Sequence, residues 1–176
     1  MQKTYSGRSL YSPSSREIIL KTIKTCNTPS ERAQKVRASI LIVLEKKTLV
    51  LDIDETLVYA TTNRTELKHV DETIQIKMTK FGAGVKAYLS YRPYLFEFLD
   101  ALRNHFELIL YTCGTAAYAA AFSESVEKNG GKRYFDHVLS LQHCLFSMEN
   151  EIYIKDLKIL EEGRSLKDVI IVDNTI

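Results

Sequence analysis

A short apolar run that ends at an acidic motif constrains the fold of this chain most strongly. Residues 48–51 (Thr-Leu-Val-Leu) favour a strand, and the run stops at Asp52, the first residue of the motif Asp-Ile-Asp-Glu-Thr at 52–56. An apolar run of this length, without alternation, predicts a strand that is buried on both faces. Because open α/β sheets bind ligands beside the carboxyl ends of their strands, the acidic motif marks a candidate site.

Further apolar runs and helical patterns predict the rest of the fold. Short apolar strands alternate with helices, and this order indicates an α/β fold with a mainly parallel sheet flanked by helices. Alternating residues at 72–78 and Val85–Tyr91 predict a β-hairpin inserted after the acidic motif. The other predicted elements are strands at Phe106–Tyr111, 138–141 and Val169–Val172, a hairpin at 145–154, and helices at 93–102, 116–128 and 157–161.

The start of the chain differs in charge from the rest. Residues 1–48 contain ten Lys or Arg and three Glu, a net charge of +7, whereas the remainder carries −5. We interpret residues 1–46 as a basic, serine-rich arm with a helix that follows the capping box at 28–31, and residues 47–176 as the folded domain. The arm is either a solvated tail or a contact for an acidic partner, a membrane surface or nucleic acid. Its composition is also that of a mitochondrial transit peptide.

Length, hydropathy and cysteine content exclude several classes of protein. The chain has 176 residues, enough for one domain. Its longest stretch without a charged residue, 108–123, has sixteen residues, fewer than the roughly 20 that a membrane-spanning helix needs. Three cysteines without paired spacing (Cys26, Cys113 and Cys144) argue against a disulfide scaffold or a Cys-rich zinc module, and they favour a reducing compartment.

Polar residues that follow the other predicted strands add to the acidic motif. Thr112, Lys155 and the pair Asp173-Asn174 each come directly after a run of strand-forming residues. We expect a parallel sheet to bring these residues together at one edge. A carboxylate pair, a hydroxyl, a lysine and a further acid suit phosphoryl transfer: one carboxylate attacks phosphorus, another moves protons, and a divalent cation with the lysine neutralises the phosphoryl oxygens.

Five sequence blocks resemble, in this order, the haloacid-dehalogenase (HAD) superfamily. Within it they are similar to phosphatases that act on the RNA polymerase II C-terminal domain (CTD), including the small CTD phosphatases. The blocks are KTLVLDIDETLVY at 47–59, YRPYLFEFL at 91–99, FELILYTCGTAAY at 106–118, YIKDL at 153–157 and VIIVDN at 169–174. The first block is specific to this family. The other blocks support the resemblance mainly because they occur in the same order as in the family. The resemblance covers residues 45–176 and implies a HAD-like Rossmannoid sheet with a hairpin insertion.

The resemblance also implies an activity, that of an Mg²⁺-dependent protein serine/threonine phosphatase that forms an aspartyl-phosphate. Asp52 would be the nucleophile, and Asp54 would protonate the leaving oxygen and later deprotonate water. Thr112 and Lys155 would bind the phosphoryl oxygens. The Mg²⁺ ion would have oxygen ligands, as hard cations prefer. These ligands would be the Asp52 carboxylate, the Asp54 main-chain oxygen, Asp173 and Asn174.

The implied partner is a phosphoprotein or phosphopeptide, with no direct contact to nucleic acid and no membrane span. Its phosphoserine would lie in a CTD-like segment or in another phosphoprotein, and the hairpin at 72–91 would help to read the residues beside it. The implied location is the nucleus or the cytoplasm, with mitochondria as the alternative. The sequence assigns no oligomeric state.

The chain departs from the family pattern at a few positions. Cys113-Gly114 replaces Ala-Ser, Ala120 replaces an Asp, and Thr175 replaces a Ser, but none of these changes removes a required group. The family domain continues through another strand and a helix, so we expect the C-terminal part of the domain to be incomplete and the last strand to have an unpaired edge. Arg92 matches an Arg-Pro pair of the family, as either a structural contact or a substrate contact.

The main alternative is a non-catalytic binding or scaffold domain, as in the mitochondrial import-translocase subunit that carries a related domain. The basic start favours it, whereas the pair Asp52 and Asp54 favours the enzyme, because a binding module has no need for two buried acids. The order of the motifs excludes a phosphoaspartate receiver domain. The C-x5-R spacing at 26–32 has no preceding strand and no glycine, which excludes a cysteine-dependent phosphatase, and no P-loop motif is present.

Overall fold

The computed structural model describes residues 46–77, 84–161 and 164–175. The predicted arm and helix before residue 46 lie outside the described residues, as does the turn of the predicted hairpin at 78–83. Within the described ranges, a four-stranded parallel sheet is accompanied by a three-stranded antiparallel sheet and by a separate two-stranded hairpin. This arrangement confirms the predicted α/β class.

The described part of the chain contains nine β-strands and two α-helices. The strands are β1 (Lys47–Leu51), β2 (Val58–Thr61), β3 (Glu72–Ile76), β4 (Val85–Tyr91), β5 (Phe106–Tyr111), β6 (His137–Leu139), β7 (Leu145–Ser147), β8 (Ile152–Ile154) and β9 (Val169–Val172). The α-helices are α1 (Leu95–Arg103) and α2 (Ala116–Gly130). Short 3₁₀ turns cover Arg64–Glu66, Leu141–His143, Leu157–Leu160 and Leu166–Asp168. None of the helices in these ranges is long and apolar enough to cross a membrane.

The parallel sheet has the order β6-β5-β1-β9. Strand β1 lies between β5 and β9, and Leu51 at its end is in register with Leu110 and Val172. The residues that follow these three strands therefore leave the sheet at the same edge. Because β1 has a neighbour on both sides, the acidic motif emerges next to the ends of both neighbouring strands.

Alternate residues of the central strands form two apolar clusters, one on each face of the sheet. On one face, Leu51 and Leu110 belong to a cluster with Leu99 of α1 and Phe122 of α2. On the other face, the cluster comprises Val50, Ile109, Tyr111, Leu139, Cys144, Ile159 and Leu160. Fully burying one such aliphatic side chain contributes roughly 1.5–3 kcal/mol. The continuous apolar pattern of β1 and β5 follows from this two-sided burial.

The antiparallel sheet has the order β2-β4-β3, and the pairing of β3 with β4 confirms the predicted hairpin. Strand β2 was not predicted from the sequence. It pairs with β4 so that Val58 lies opposite Tyr91, 33 positions further along the chain. The antiparallel sheet thus begins directly after the acidic motif and ends directly before α1.

Several predicted boundaries differ from those in the structure. The strand predicted at 138–141 is His137–Leu139, because the chain turns at Leu141, whose N–H donates to the Gly114 carbonyl at 2.8 Å. Helix α1 begins at Leu95 rather than at 93, since Tyr94 has a left-handed backbone with a φ of 66°. The helix predicted at 157–161 is a single 3₁₀ turn.

A buried ionic cluster ties β1, β5 and β6 together near the amino ends of the strands. The Glu107 side chain is 2% exposed, and it accepts hydrogen bonds from Thr48 at 2.7 Å and from Arg164 Nε at 2.7 Å. A second nitrogen of Arg164 also contacts Glu107, and His137 Nε2 lies 3.3 Å away. Hydrogen bonds and opposite charge thus offset the cost of burying this carboxylate.

Strand β9 lies at the edge of the parallel sheet in the described part of the chain. Ile170, Ile171 and Val172 are between 38% and 47% exposed, although all three are large and apolar. The unpaired edge that we predicted at this strand is therefore present among the described residues.

Candidate active site

The acidic motif forms a tight loop between β1 and β2. Asp52 extends the sheet, since its N–H donates to the Val172 carbonyl at 3.0 Å. The loop then turns back, and the N–H groups of Leu57 and Val58 donate to the Ile53 carbonyl at 2.9 and 3.1 Å. Glu55 takes the left-handed conformation that this turn requires, with a φ of 60°.

Arg92 fixes the outside of this loop. Its Nε donates to the Thr56 carbonyl at 2.5 Å, and a terminal nitrogen donates to the Glu55 carbonyl at 2.7 Å. Of the two roles that we considered for Arg92, these contacts favour the structural one, because both go to main-chain atoms of the loop. The loop geometry therefore depends on a residue at the end of β4.

Lys155 joins two carboxylates at the centre of the site. Its Nζ donates to Asp52 Oδ1 at 2.5 Å and to Asp173 Oδ2 at 2.6 Å. The side chains are 12% (Lys155), 6% (Asp52) and 13% (Asp173) exposed. The two carboxylates therefore face one buried cation, which offsets their mutual repulsion.

Lys155 follows the second strand of the hairpin that we predicted at 145–154. The antiparallel pairing of β7 with β8 confirms this hairpin, which forms a separate two-stranded sheet. Lys155 therefore comes from the hairpin and not from a strand of the parallel sheet. The ammonium group nevertheless lies among the predicted site residues.

Asp54 is held by two hydroxyl groups. The Tyr118 hydroxyl donates to Asp54 Oδ1 at 2.6 Å, and the Thr112 hydroxyl donates to Asp54 Oδ2 at 3.4 Å. Tyr118 lies in the first turn of α2, and the Thr115 hydroxyl caps that helix by accepting from the Tyr118 N–H. The two acids of the motif thus have different surroundings: Asp52 faces an ammonium group, and Asp54 faces neutral donors.

Thr56 and Asn174 complete the cluster. The Thr56 hydroxyl lies 3.3 Å from Asp52 Oδ2 and 3.5 Å from Asn174 Oδ1. Asn174 Nδ2 also donates to Glu55 Oε2 at 3.4 Å. These contacts connect the end of β9 to the acidic loop.

Burial changes the proton affinities of Asp52, Asp54 and Lys155. It raises the pKa of Asp52 above 3.8, against the opposing effect of Lys155. It also raises the pKa of Asp54, and the hydrogen bonds from Tyr118 and Thr112 offset this only in part. For Lys155, burial lowers the pKa, but the Asp52 charge and the hydrogen bonds to both carboxylates outweigh it, so the pKa is raised. The ammonium form of Lys155 is therefore favoured.

All six predicted site residues lie in one hydrogen-bonded neighbourhood at the carboxyl edge of the sheet. They are Asp52, Asp54, Thr112, Lys155, Asp173 and Asn174. Their chemical roles stay predictions. Sequence reasoning missed Thr56 and Tyr118 as site residues. The motif Asp-x-Asp-x-Thr contained the signal for Thr56, whereas Tyr118 depends on how α2 packs.

The oxygen atoms around Asp52 fit a hard divalent cation. Among the described residues, no group of three or more His, Cys, Asp or Glu side chains could hold a metal. The predicted ligand set instead combines two carboxylates, Asp52 and Asp173, with the Asn174 amide and a main-chain oxygen. Mg²⁺ prefers such donors and is commonly bound by only one or two protein carboxylates. Because both carboxylates already face the ammonium of Lys155, this position accommodates positive charge.

Comparison with known proteins identifies relatives. A family model described as NLI interacting factor-like phosphatase matches residues 47–176. The Caenorhabditis elegans CTD small phosphatase-like protein 1 is 38% identical over 130 residues, which are 74% of this chain and 24% of that protein. The human carboxy-terminal domain RNA polymerase II polypeptide A small phosphatase 1 is 33% identical over 131 residues, 74% of this chain and 46% of that protein. The chain thus spans less than half the length of these curated relatives.

Solved structures share the fold. The structure of the fission yeast RNA polymerase II CTD phosphatase Fcp1-R271A matches with a TM-score of 0.56 and 22% identity, and it covers 81% of this chain and 40% of that one. A second Fcp1 structure matches with a TM-score of 0.54 and 24% identity, over the same shares of the two chains. At this identity the likeness shows the fold, which is the α/β architecture described above.

The family match, the curated relatives and the fold agree. The curated relatives are named as CTD small phosphatases or as CTD small phosphatase-like proteins. The chain belongs to the NLI interacting factor-like phosphatase family, which comprises CTD small phosphatase-like proteins of the HAD type.

Proposed function

We propose that the protein is an Mg²⁺-dependent serine/threonine phosphatase that acts through an aspartyl-phosphate on Asp52. The observation that carries the proposal is a pair of aspartates at the end of β1 that have different hydrogen-bond partners. Lys155 holds Asp52 by its charge, and Tyr118 and Thr112 hold Asp54 through neutral hydroxyls. Acids in different environments can perform different steps of one reaction.

Asp52 is the proposed nucleophile. One of its carboxylate oxygens attacks phosphorus, and the bond between phosphorus and the serine oxygen breaks as the aspartyl-phosphate forms. Lys155 favours the ionised form of this carboxylate and orients it, since its Nζ lies 2.5 Å from Oδ1. The loop contacts from Arg92 hold the backbone on which Asp52 depends for its position.

Asp54 is the proposed acid and base. Burial raises its pKa, which favours a carboxyl group that holds a proton and gives it to the leaving serine oxygen. In the second half of the reaction, the resulting carboxylate takes a proton from the water that attacks the aspartyl-phosphate. Tyr118 and Thr112 donate to its two oxygens and so restrict its rotation.

Lys155 and Thr112 are the proposed contacts for the transferred phosphoryl group. The ammonium of Lys155 lies beside the nucleophile, and the Thr112 hydroxyl lies between Asp54 and the Gly114 N–H, which donates to it at 2.8 Å. Donors held in advance stabilise the charge that spreads over the phosphoryl oxygens.

The proposed ligands of Mg²⁺ are the Asp52 and Asp173 carboxylates, the Asn174 amide oxygen and the Asp54 main-chain oxygen. When bound, the ion neutralises charge on the phosphoryl oxygens. Thr56 supports this set, because its hydroxyl contacts both Asp52 and Asn174. Asp173 is further fixed by the Thr175 N–H, which donates to Oδ1 at 2.9 Å.

The proposed substrate is phosphoserine in a CTD-like segment or in another phosphoprotein. The names of the relatives support this substrate class. The antiparallel sheet follows the acidic loop directly, so its residues are placed to contact the peptide on either side of the phosphoserine. Tyr59 on β2 has the exposure required for such a contact, at 43%. The proposed location is the nucleus or the cytoplasm.

Hydrolysis of p-nitrophenyl phosphate by the purified protein tests the proposal. We expect activity that requires Mg²⁺ and disappears in Asp52→Asn, while circular dichroism shows the same fold. Asp168→Asn is a matched control, because Asp168 is 56% exposed and forms a long ion pair of 3.8 Å with Lys47. A folded protein that is inactive, or an Asp52→Asn variant that keeps its rate, would refute the proposed reaction.

A further inference from the structure

Two cysteines lie against each other beside the candidate active site. The Sγ atoms of Cys113 and Cys144 are 3.8 Å apart, although 31 positions separate them along the chain. Cys113 directly follows Thr112 at the end of β5, and Cys144 directly follows the 3₁₀ turn Leu141–His143. The fold thus forms a thiol pair that the sequence spacing did not reveal.

The two thiols differ in exposure. Cys113 is exposed, whereas Cys144 is 3% exposed. The hydrogen bond from Cys144, aided by the charge of Lys155, lowers the pKa of Cys113. The same hydrogen bond and burial raise the pKa of Cys144. Because the thiolate is the form that attacks oxidants, Cys113 is the thiol that reacts first, and Cys144 is placed to react second.

The thiol pair is connected to the candidate site through Thr112. Cys144 Sγ lies 3.8 Å from the Thr112 carbonyl oxygen, and the Thr112 hydroxyl lies 3.4 Å from Asp54 Oδ2. The Sγ atoms of a disulfide are about 2.05 Å apart, so the two sulfurs have to approach each other by roughly 1.8 Å. Such a movement shifts the backbone next to Thr112.

We propose that Cys113 and Cys144 form an oxidation site, in which hydrogen peroxide converts the two thiols to a disulfide that displaces Thr112 from Asp54. The Cys113 thiolate attacks one peroxide oxygen, the O–O bond breaks, and the leaving hydroxide takes up the thiol proton as water. Cys113 is then a sulfenic acid. The Cys144 sulfur attacks the Cys113 sulfur, the S–O bond breaks, and the hydroxide leaves as water with the Cys144 proton. Two thiols thus give two electrons to one peroxide and yield one disulfide and two waters.

The disulfide is tested by mass spectrometry of the full chain. A Cys26→Ser background removes the third cysteine, and the folded protein is treated with hydrogen peroxide, alkylated and digested with trypsin without reduction. We expect peptide 104–128 linked to peptide 134–155, lighter by two hydrogens than the sum of the two, and lost on treatment with dithiothreitol. Absence of this linked peptide from the oxidised, folded protein overturns the proposal.

Single substitutions test the order of the two steps. In Cys144→Ala, the sulfenic acid on Cys113 has no partner, so we expect dimedone to label Cys113. In Cys113→Ala, the buried Cys144 has no exposed thiol beside it, so we expect it to remain an unoxidised thiol. Oxidation of Cys144 in Cys113→Ala at the wild-type rate would overturn the assignment of Cys113 as the first thiol.

The effect on activity rests on the proposed function, whereas the disulfide itself does not. In the same samples we expect oxidation to lower the rate of p-nitrophenyl phosphate hydrolysis roughly 100-fold, the effect of a small misplacement of a catalytic group. Dithiothreitol should restore the rate, and Cys113→Ala should keep its rate in peroxide. If the disulfide forms and the hydrolysis rate does not change, the proposed effect of the disulfide on Thr112 is overturned. A reduced protein without any phosphatase activity refutes the proposed function, and the linked peptide still decides whether the oxidation site exists.

Discussion

Replacing the buried Glu107 by Gln should destabilise the domain at neutral pH. Burial raises the pKa of Glu107, but hydrogen bonds from His137, Arg164 and Thr48 outweigh it and lower the pKa from 4.5 to about 2. A shift of one pKa unit corresponds to about 1.4 kcal/mol, so this shift is worth about 3 kcal/mol of folding free energy at pH 7. The Glu107 side chain is only 2% exposed, so solvent screens the cluster little.

The pH dependence separates this charge effect from a packing defect. Because the pKa of Glu107 is lower in the folded state, the stabilisation is present above pH 4.5 and is lost as the pH falls toward 2. At pH 3, about 1.4 kcal/mol of it should remain. The difference in unfolding free energy between wild type and Glu107→Gln should therefore shrink by about 2 kcal/mol between pH 7 and pH 3.

Urea unfolding followed by circular dichroism at both pH values measures this difference. Glu149→Gln is the matched control, because Glu149 is exposed at the turn between β7 and β8. We expect the control to change the unfolding free energy by less than about 0.5 kcal/mol, as is usual for surface substitutions. A pH-independent difference for Glu107→Gln would contradict the reasoning, since it would show that the side chain stabilises the fold without its charge.

Three further predictions concern the site residues. Asp54→Asn should lower the steady-state rate of phosphate-ester hydrolysis by roughly 10²–10⁴-fold, the usual contribution of a general acid or base, and unchanged burst and steady-state rates would contradict this role. Lys155→Met should lower kcat by roughly 10²–10³-fold, because the charge on the phosphoryl oxygens is then less stabilised. A change in KM alone would argue against this role of Lys155. Tyr118→Phe removes one hydrogen bond to Asp54, so kcat should fall about tenfold with KM unchanged. If steady-state assays give the wild-type kcat for this variant, Tyr118 does not position Asp54.

The central part of the parallel sheet was predictable because β1 and β5 are buried on both faces. Strand β5 and strand β9 have the bounds that their apolar runs indicated, and the carboxyl ends of parallel strands necessarily meet at one edge. For this reason the placement of Asp52, Asp173 and Thr112 near one another followed from local sequence. Lys155 was a candidate for the same reason, since it directly follows a predicted strand, and the family resemblance added the proposed role of each residue.

Contacts between distant segments were not predictable from local pattern. Strand β2 has four residues, and its partner β4 lies beyond the whole of β3. Tyr118 reaches Asp54 across 64 positions, and Arg164 reaches Glu107 across 57. From the sequence alone, a single charged residue such as Glu107 is expected to be a solvated surface group. Only the folded structure shows that it is buried.

The cysteine pair illustrates the same limit at shorter range. Sequence spacing gave no reason to pair Cys113 with Cys144, and the two meet because the 3₁₀ turn at Leu141–His143 brings the chain back to the end of β5. The position of that turn therefore determines which side chain lies against Cys113.

Trapping a phosphorylated Asp52 tests the central claim most directly. Wild-type protein and Asp54→Asn would be mixed with Mg²⁺ and a phosphoserine peptide for a single turnover and quenched in acid. Hydroxylamine would then convert any aspartyl-phosphate to a hydroxamate for mass spectrometry. We predict a hydroxamate on Asp52, more abundant in Asp54→Asn, and none in Asp52→Asn. Turnover of the peptide without modification of Asp52, or modification at another acid, would contradict the claim.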